Sequence, residues 1–228
     1  MVKDLLIENI YFSYLIKSSF FKTKKVLALK NISLCVKQGE KIGFIGSNGS
    51  GKSTLARVIA NLVNVDSGKI INNFETTFLL PNSLFFEKSL SGIDNIKVFM
   101  SLVANTNDSD IQERIYNDIV EFSELGDRLS DKVGSYSDGM YTRLAVSVLN
   151  FLNPDLLIID ENLGAGDLNF QNKTINFFRK NISKKTLIFI SHNHELLKEF
   201  CPNSYWIKNG TIHDFGATSE ILKKYENQ

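Results

Sequence analysis

The feature that most constrains the fold of this 228-residue chain is one glycine-rich segment together with its two flanks. The segment consists of Gly46, Ser47, Asn48, Gly49, Ser50, Gly51, Lys52, Ser53 and Thr54. The apolar run at 41–45 predicts a short buried strand before it, and residues 55–62 predict a helix after it. A strand, a glycine-rich turn and a helix in this order predict an α/β core built around the turn.

The residue types in this segment suit the binding of a phosphate. Glycine allows the positive φ angles that bring backbone N–H groups close around an anion. The helix that begins near Lys52 adds the positive end of its dipole. The Lys52 amine supplies a charge for β- and γ-phosphates, and the Ser53 hydroxyl can bind Mg²⁺. The sequence therefore predicts a nucleotide-binding loop.

Composition limits the other possibilities. With 26 basic and 25 acidic residues the formal charge is +1, so no overall field attracts nucleic acid or an anionic membrane. Cys35 and Cys201 form no C-x-x-C pattern and are expected to be small buried apolar residues. The first residues lack the pattern of a signal peptide, and no apolar run approaches the ~18 residues needed to cross a bilayer. We expect a cytoplasmic chain that reaches a membrane only through a partner.

The first strands are expected to form an antiparallel layer. Residues 5–14 and 26–36 alternate apolar and polar side chains, as half-buried strands do. Between them, residues 13–25 are basic and aromatic together. A long solvated hairpin loop is the favoured interpretation of this stretch, and a membrane-surface or partner contact is the alternative.

The remaining pattern changes from helix to parallel strands. Residues 69–71 and 76–80 are predicted to form a strand pair, and a helical subdomain is predicted at roughly 82–145. Its first two helices are predicted at 92–103 and 107–122. Buried parallel strands are predicted at 155–160 and 185–190, with a helix at 170–179 between them. The last elements predicted are a hairpin at 204–215 and a helix from Ser219. The prediction is a single α/β domain over 1–228: a P-loop NTPase core with a mostly parallel sheet, an antiparallel layer and a helical insertion.

Three further residues are placed where they can act on a bound nucleotide. Asp160 ends an apolar strand, where its carboxylate can hold Mg²⁺ directly or through water. Glu161 follows at once and can serve as general base for the attacking water. His192 follows the next predicted strand, so it reaches the same sheet edge and the γ-phosphate.

A second anion site is predicted at the segment 136–140. It contains Ser137 and Gly139 and precedes a helix at 141–152. A helix N-terminus with small residues exposed attracts anions by the same physics as the phosphate loop. The two sites can meet within one chain or between two copies arranged head to tail.

These motifs and their order resemble the ATPase subunits of ABC transporters over essentially the whole chain. The resemblance implies that residues 46–54 are Walker A, Asp160 is the Walker B aspartate and Glu161 the catalytic base. It also implies that Tyr14 stacks on adenine, Asp167 belongs to the D-loop, and His192 is the switch histidine. The segments at 136–140 and 164–167 are similar to those of ATPases that export capsular polysaccharide, O-antigen or teichoic acid.

The resemblance implies a function and its participants. We expect hydrolysis of ATP with Mg²⁺ by a homodimer that sandwiches nucleotide and drives an integral-membrane permease, with no nucleic acid and no glycan-binding domain of its own. Asn82 occupies the place of the usual Q-loop glutamine, which would contact Mg²⁺, and Asp138 replaces a glycine or serine of the signature segment. We expect the Asp138 carboxylate to point away from nucleotide, because it would otherwise repel the phosphates.

Three alternatives follow from the same motifs. The first is an ABC ATPase that serves another cargo, such as a lipid, a drug or a small solute. The second is a DNA-associated ATPase of related fold, which usually has long coiled-coil insertions that are not visible here. The third is a non-catalytic nucleotide-binding regulator, against which the presence of Lys52, Asp160, Glu161 and His192 argues.

Overall fold

The structure is a computed structural model that describes residues 3–19, 22–80, 86–103, 109–149, 151, 154–160, 167–181 and 185–228. The chain divides into two compact units. The first comprises residues 1–79, 154–161 and 182–228, and the second comprises 80–153 and 162–181. The second unit therefore contains the whole range predicted for the helical subdomain, roughly 82–145, and it also includes residues 162–181, which were not in that prediction.

The first unit contains a three-stranded antiparallel sheet. Strand β1 is Asp4–Ser19, β2 is Lys22–Lys37, and β4 is Ser67–Asn72, in the order β2-β1-β4. The predicted antiparallel layer is confirmed, but the predicted loop at 13–25 is wrong. The β1 and β2 strands stay paired from Ser13 opposite Leu27 to Ser19 opposite Lys22. Strand pairing satisfies the backbone there although the side chains described at 15–16 and 23–27 are exposed, so the alternation of a half-buried strand is missing.

The same unit contains a six-stranded sheet in the order β5-β6-β7-β3-β8-β9. These strands are β3 Lys41–Ile45, β5 Thr77–Leu80, β6 Leu156–Asp160, β7 Thr186–Ile190, β8 Asn203–Lys208 and β9 Thr211–Ala217. The pairs β6/β7, β7/β3 and β3/β8 are parallel, and β8/β9 is antiparallel. Every residue of β6 and β7 is buried, which explains their unbroken apolar sequences.

The predicted pairing of 69–71 with 76–80 is wrong. Strand β4 pairs with β1 in the three-stranded sheet, whereas β5 belongs to the six-stranded sheet. The two strands are adjacent in sequence, and adjacency favours a hairpin. Here a short connection instead passes between sheets, with Phe74 buried in the core that both sheets share.

Three helices complete the first unit: α1 Lys52–Ile59, α6 His194–Phe200 and α7 Thr218–Glu226. Helix α6 was not predicted, because its seven residues are too few to show helical periodicity. The Asn193 side chain caps it by accepting hydrogen bonds from the N–H groups of Glu195 and Leu196. The hydrophobic core draws on both sheets and α1, with Leu29, Phe44, Leu55 and Ile158 each fully buried.

The second unit is helical in the part that the structure describes. Its helices are α2 Gly92–Val103, α3 Ser109–Ser123, α4 Asp138–Leu149 and α5 Leu168–Asn181, with short 3₁₀ segments at Gly126–Ser130 and Val133–Ser135. Helix α4 begins three residues before the predicted start at Tyr141. Together the two units form the α/β architecture that the sequence predicted. Among the residues described, none of the helices combines the length and the apolar character needed to span a bilayer.

Candidate functional site

The glycine-rich segment connects β3 to α1, as predicted. Gly49 has φ 77° and Gly51 has φ 110°, both in the left-handed region that favours glycine. Gly51 also forms the N-terminal cap of α1 without a side chain. The loop therefore leaves the sheet and enters the helix through two turns that residues with a side chain adopt only under strain. No side chain caps the start of α1, and N–H groups at such a helix end can bind an anion.

Lys52 folds back across the loop. Its side chain is buried, and its amine donates hydrogen bonds to the carbonyl oxygens of Gly46, at 2.7 Å, and Ser47, at 3.0 Å. A buried cation is stabilised only when it is well paired, and these carbonyl groups supply part of that pairing. The arrangement places a positive charge at the centre of the loop, where phosphate oxygens are expected.

Ser53 and Asp160 lie together, as the sequence predicted. The Ser53 hydroxyl donates to Asp160 Oδ1 at 3.1 Å, although the two residues are 107 positions apart. Asp160 is the last residue of β6, and only 6% of it is exposed. A hydroxyl and a carboxylate oxygen are the hard ligands that Mg²⁺ prefers, so this pair fits the predicted metal.

His192 follows β7 and reaches the same loop. Its Nε2 atom lies 2.9 Å from Asn48 Oδ1. Strand β7 pairs in parallel with β3, and parallel neighbours deliver the residues after them to one sheet edge. His192 therefore lies beside the phosphate loop, at the sheet edge where the sequence predicted it.

A cavity of about 700 Å³ lies above the loop. Its lining includes Tyr14, Val26 and Leu27 on the antiparallel sheet and the loop residues from Asn48 to Thr54. The Tyr14 hydroxyl is 3.1 Å from Thr54 Oγ1, and the Tyr14 ring packs edge-on against Phe12. One side of this cavity is aromatic and apolar and the other is rich in N–H groups, which suits a base and its phosphates.

Ser50 carries an unpaired hydroxyl inside the phosphate loop. Its hydroxyl is buried and has no hydrogen-bond partner among the residues that the structure describes. Buried polar groups normally have a partner, so an unpaired one calls for an explanation.

Ser137 and Gly139 lie at the start of α4 in the second unit. The Ser137 hydroxyl accepts a hydrogen bond from the Met140 N–H at 3.3 Å, and its carbonyl accepts from the Tyr141 N–H. This cap explains why α4 starts earlier than predicted. Ser137 and Asp138 are both exposed, so the helix N-terminus is accessible.

Asp167 caps α5 and forms an ion pair. Its Oδ1 accepts from the Phe170 N–H, and its Oδ2 lies 2.6 Å from the Arg143 guanidinium. The Phe170 N–H, together with the charge of Arg143, holds the pKa of the Asp167 carboxyl below its ordinary value. The predicted D-loop aspartate is thus fixed in place within the second unit.

Sequence reasoning missed Arg143. Its guanidinium also pairs with Glu124 at 3.1 Å and lies over the Phe170 ring at 4.5 Å. Lys173 pairs with the same Glu124 carboxylate, so that hydrogen bonds from Lys173 and then Arg143 lower the pKa of Glu124. The sequence signal that could have identified Arg143 is a single arginine within α4, a helix whose residues are mostly buried.

Some predicted residues lie outside the part of the chain that the structure describes. They are Asn82, Glu161 and the first three residues of the 164–167 segment. Within the first unit the structure brings together Tyr14, the phosphate loop, Asp160 and His192. Ser137, Gly139 and Asp167 belong to the second unit, so their part in one composite site stays a prediction.

This fold and this loop define a class of protein. The family model described as "ABC transporter" matches residues 29–164, more than half of the chain, so the chain belongs to the ABC transporter family. Within that family it is the ATP-hydrolysing subunit, as the sequence predicted. Solved structures have the same fold. One is the ATP-binding cassette MJ0796 in a dimeric post-hydrolysis state bound to ADP and Pi. Its TM-score is 0.74 at 19% identity, with 94% of this chain and 98% of that chain covered. An ATP-binding subunit of an ABC transporter has a TM-score of 0.73, with 97% and 93% covered.

More similar relatives carry a specific name, the teichoic acids export ATP-binding protein TagH. The protein from Staphylococcus epidermidis is 37% identical over 206 residues, which is 90% of this chain and 77% of that protein. The protein from Shouchella clausii is 37% identical over 93% of this chain and 60% of that protein. The protein from Lactococcus lactis is 35% identical over 93% of this chain, which spans 45% of the relative.

Proposed function

We propose that this chain is the ATPase subunit of an exporter that carries a lipid-linked polysaccharide of the teichoic-acid, capsule or O-antigen type across the cytoplasmic membrane. The cargo part of the proposal rests on the shared name of relatives that are 35–37% identical over at least 90% of the chain. The catalytic part rests on one observation, the contact between Ser53 and Asp160 beside the phosphate loop. The hydrogen bond brings together a hydroxyl and a carboxylate from two distant segments, and these are oxygen ligands of the kind that Mg²⁺ binds.

The residues of the first unit divide the work of holding MgATP. The N–H groups at the start of α1 and the Lys52 amine bind the β- and γ-phosphates. Ser53 and Asp160 hold Mg²⁺, which when bound offsets phosphate charge in the transition state. Tyr14, on the wall of the cavity, stacks on the base.

Two residues position the attacking water and the terminal phosphate. Glu161, which follows Asp160 in sequence, accepts a proton from the water. His192 donates to the γ-phosphate, and its contact with Asn48 at 2.9 Å keeps the ring at the loop. Asn82 is assigned to the Q-loop position, where its amide oxygen would be a further ligand for Mg²⁺.

The second half of each site comes from a second copy of the chain. In this proposal the exposed Ser137, together with Gly139 and the N-terminus of α4, binds the γ-phosphate held by the partner's loop, with the Asp167 segment beside them. ATP then closes the homodimer and hydrolysis reopens it. The chain lies at the cytoplasmic face of the membrane, bound to an integral-membrane permease that couples this motion to export, and the second unit contacts that permease.

A glutamine substitution tests the catalytic assignment. Glu161→Gln should bind MgATP, form a dimer that light scattering detects, and lose at least about a hundredfold in turnover, because a removed general base typically costs that much or more. The control is Glu113→Gln, an exposed carboxamide substitution on α3 that should leave turnover unchanged. Full turnover in the Glu161 variant would contradict the assigned role.

Purification from membranes tests the cargo and the partner. The chain, tagged and expressed in its own host, should co-purify from detergent-solubilised membranes with one multi-spanning protein. In proteoliposomes that complex should hydrolyse ATP faster when a lipid-linked polysaccharide is present. Stimulation by a drug, a free lipid or a small solute instead would support the alternative cargo and contradict the proposal.

A further inference from the structure

The turn between β8 and β9 touches the phosphate loop. Asn209 and Gly210 have φ 52° and 78°, the two left-handed residues of a two-residue hairpin. The Gly210 N–H donates to the Ser50 carbonyl at 2.9 Å, and the Gly210 carbonyl accepts from the Lys30 N–H at 2.7 Å. A single residue near the end of the first unit therefore links the loop to β2.

This hydrogen bond fixes the direction of a neighbouring amide. In a planar trans peptide the C=O and N–H groups point in opposite directions. The Ser50 carbonyl and the Gly51 N–H belong to one peptide, so holding the carbonyl at Gly210 sets the direction of the Gly51 N–H. Phosphate binding by such a loop depends on N–H groups that converge without reorganisation.

The same hairpin also supports the other end of the loop. A side-chain carbon at Gly46 would collide with the Ile207 carbonyl oxygen of β8 and would lie 2.7 Å from Ser50 Oγ. At Gly51 such a carbon would lie 3.1 Å from Leu29 and 3.2 Å from the Ala28 carbonyl oxygen of β2. The loop backbone is thus held between β2 and the hairpin.

Two independent constraints require glycine at position 210. The φ of 78° is strained for any residue with a side chain. A side-chain carbon would also collide with the Ala28 carbonyl oxygen and approach Leu29 Cα to 3.4 Å. Both obstacles are backbone atoms, so the turn itself would have to move, and its N–H would leave Ser50.

We propose that Gly210 is a positioning residue for nucleotide binding, which orients the phosphate-loop amides through its hydrogen bond to Ser50. Gly210 also lies on the wall of the cavity above the loop, and the role proposed for it is exerted through its hydrogen bond to the loop. This inference rests on the nucleotide-binding role of the loop, and it adds a part of the chain that lies outside the sequence motifs of the site.

The test compares two glycines with nearly equal backbone angles. At Gly39, where φ is 81°, a side-chain carbon would have no atom within 4 Å, whereas at Gly210, where φ is 78°, its place is blocked. Gly39→Ala therefore carries the backbone strain alone. Binding of a fluorescent ATP analogue with Mg²⁺ and steady-state ATP hydrolysis are measured for wild type and both variants.

We expect Gly210→Ala to bind the analogue at least tenfold more weakly and to raise KM for ATP by a similar factor, with kcat at saturation within about threefold of wild type. Gly39→Ala should stay within twofold of wild type in both affinity and KM. Equal affinities in the two variants would overturn the inference. If the wild type itself failed to bind nucleotide, the proposed function would fail first.

A second measurement covers the case in which Gly210→Ala does not fold. In the wild-type protein, amide hydrogen exchange at Gly210 is followed by NMR with and without MgADP. We expect protection in both states and at least tenfold slower exchange with MgADP, because the loop and the turn are then fixed together. If the Gly210 amide of the MgADP-bound protein exchanged as fast as that of an unstructured peptide, the role proposed for its hydrogen bond to Ser50 would be refuted.

Discussion

Cys201 offers a chemical reporter of nucleotide binding. It follows α6, is fully buried, and donates its backbone N–H to the Leu197 carbonyl. Burial raises the pKa of the Cys201 thiol from 9.0 to about 12. The thiolate is the reactive form, so a raised pKa suppresses reaction with a disulfide reagent even before access is considered.

The expected suppression follows from the two pKa values. At pH 8 a thiol of pKa 9.0 is about one-tenth ionised, whereas one of pKa about 12 is ionised in about one molecule in ten thousand. Ionisation alone therefore slows the reaction about a thousandfold. Since the side chain is also inaccessible, labelling should proceed only through transient unfolding.

Ligand binding should then protect Cys201 further. A ligand that binds only the native state at 100 times its Kd lowers the unfolded population about a hundredfold. The assay uses the Cys35→Ser variant, an aromatic disulfide reagent at pH 8, and samples with and without MgADP. We expect labelling at least a thousandfold slower than in denaturant, and about a hundredfold slower again with saturating MgADP.

The control keeps the other thiol. Cys35 is half-buried, and burial raises its pKa as well, but part of the residue is accessible. In Cys201→Ala its labelling should be much faster than that of Cys201 and nearly insensitive to MgADP. Labelling of Cys201 at the rate found in denaturant would refute the argument from burial. Slow labelling that MgADP leaves unchanged would show that Cys201 opens locally rather than with the nucleotide site.

Three other substitutions test individual contacts. Tyr14→Phe should keep ATP affinity within about threefold, because the ring remains and only the hydrogen bond to Thr54 is lost, whereas Tyr14→Ala should weaken it about tenfold or more in a titration with ATP analogue. Asp138→Ser should leave ATP affinity and turnover within about twofold, since we expect this exposed carboxylate to point away from the phosphates; a strong rise in either quantity would contradict that expectation. Arg143→Met should lower the free energy of unfolding by about 1–2 kcal/mol in urea titrations. The carboxylates of Glu124 and Asp167 would each lose a charged hydrogen-bond donor, although water can replace it. Arg143→Lys should recover only part of this loss.

The parts of the fold that were predictable carry their information locally. Strands β6 and β7 are buried on both faces, so an unbroken apolar run identified them. Helix α2 was predicted with the bounds 92–103 that it has, because its apolar residues recur at helical spacing. Phosphate binding by residues 46–54 was also predictable, since glycines, a lysine and a hydroxyl in this order are typical of a phosphate-binding loop.

The errors arise where structure depends on distant partners. The end of β1 after Ser13 pairs with the start of β2 before Leu27, and the side chains described at 15–16 and 23–27 are exposed, so this sequence resembles a loop. Strand β4 joins β1, about 60 residues earlier in sequence, rather than the strand that follows it. Arg143 gained its role only when Glu124 and Asp167 were brought to it by the fold of the second unit.

The strand order of the six-stranded sheet explains why the site could be assembled from such distant residues. Strands β6, β7, β3 and β8 are consecutive neighbours and parallel, so the segments that follow them emerge at one edge. Asp160 lies at the end of β6, and His192 lies just after β7. The phosphate loop follows β3, and the Asn209–Gly210 turn follows β8. Three of the four were predicted to meet because each has a recognisable chemistry. The fourth contributes only backbone atoms, so its glycine resembles that of any hairpin, and its contact with Ser50 follows from the place of β8 beside β3.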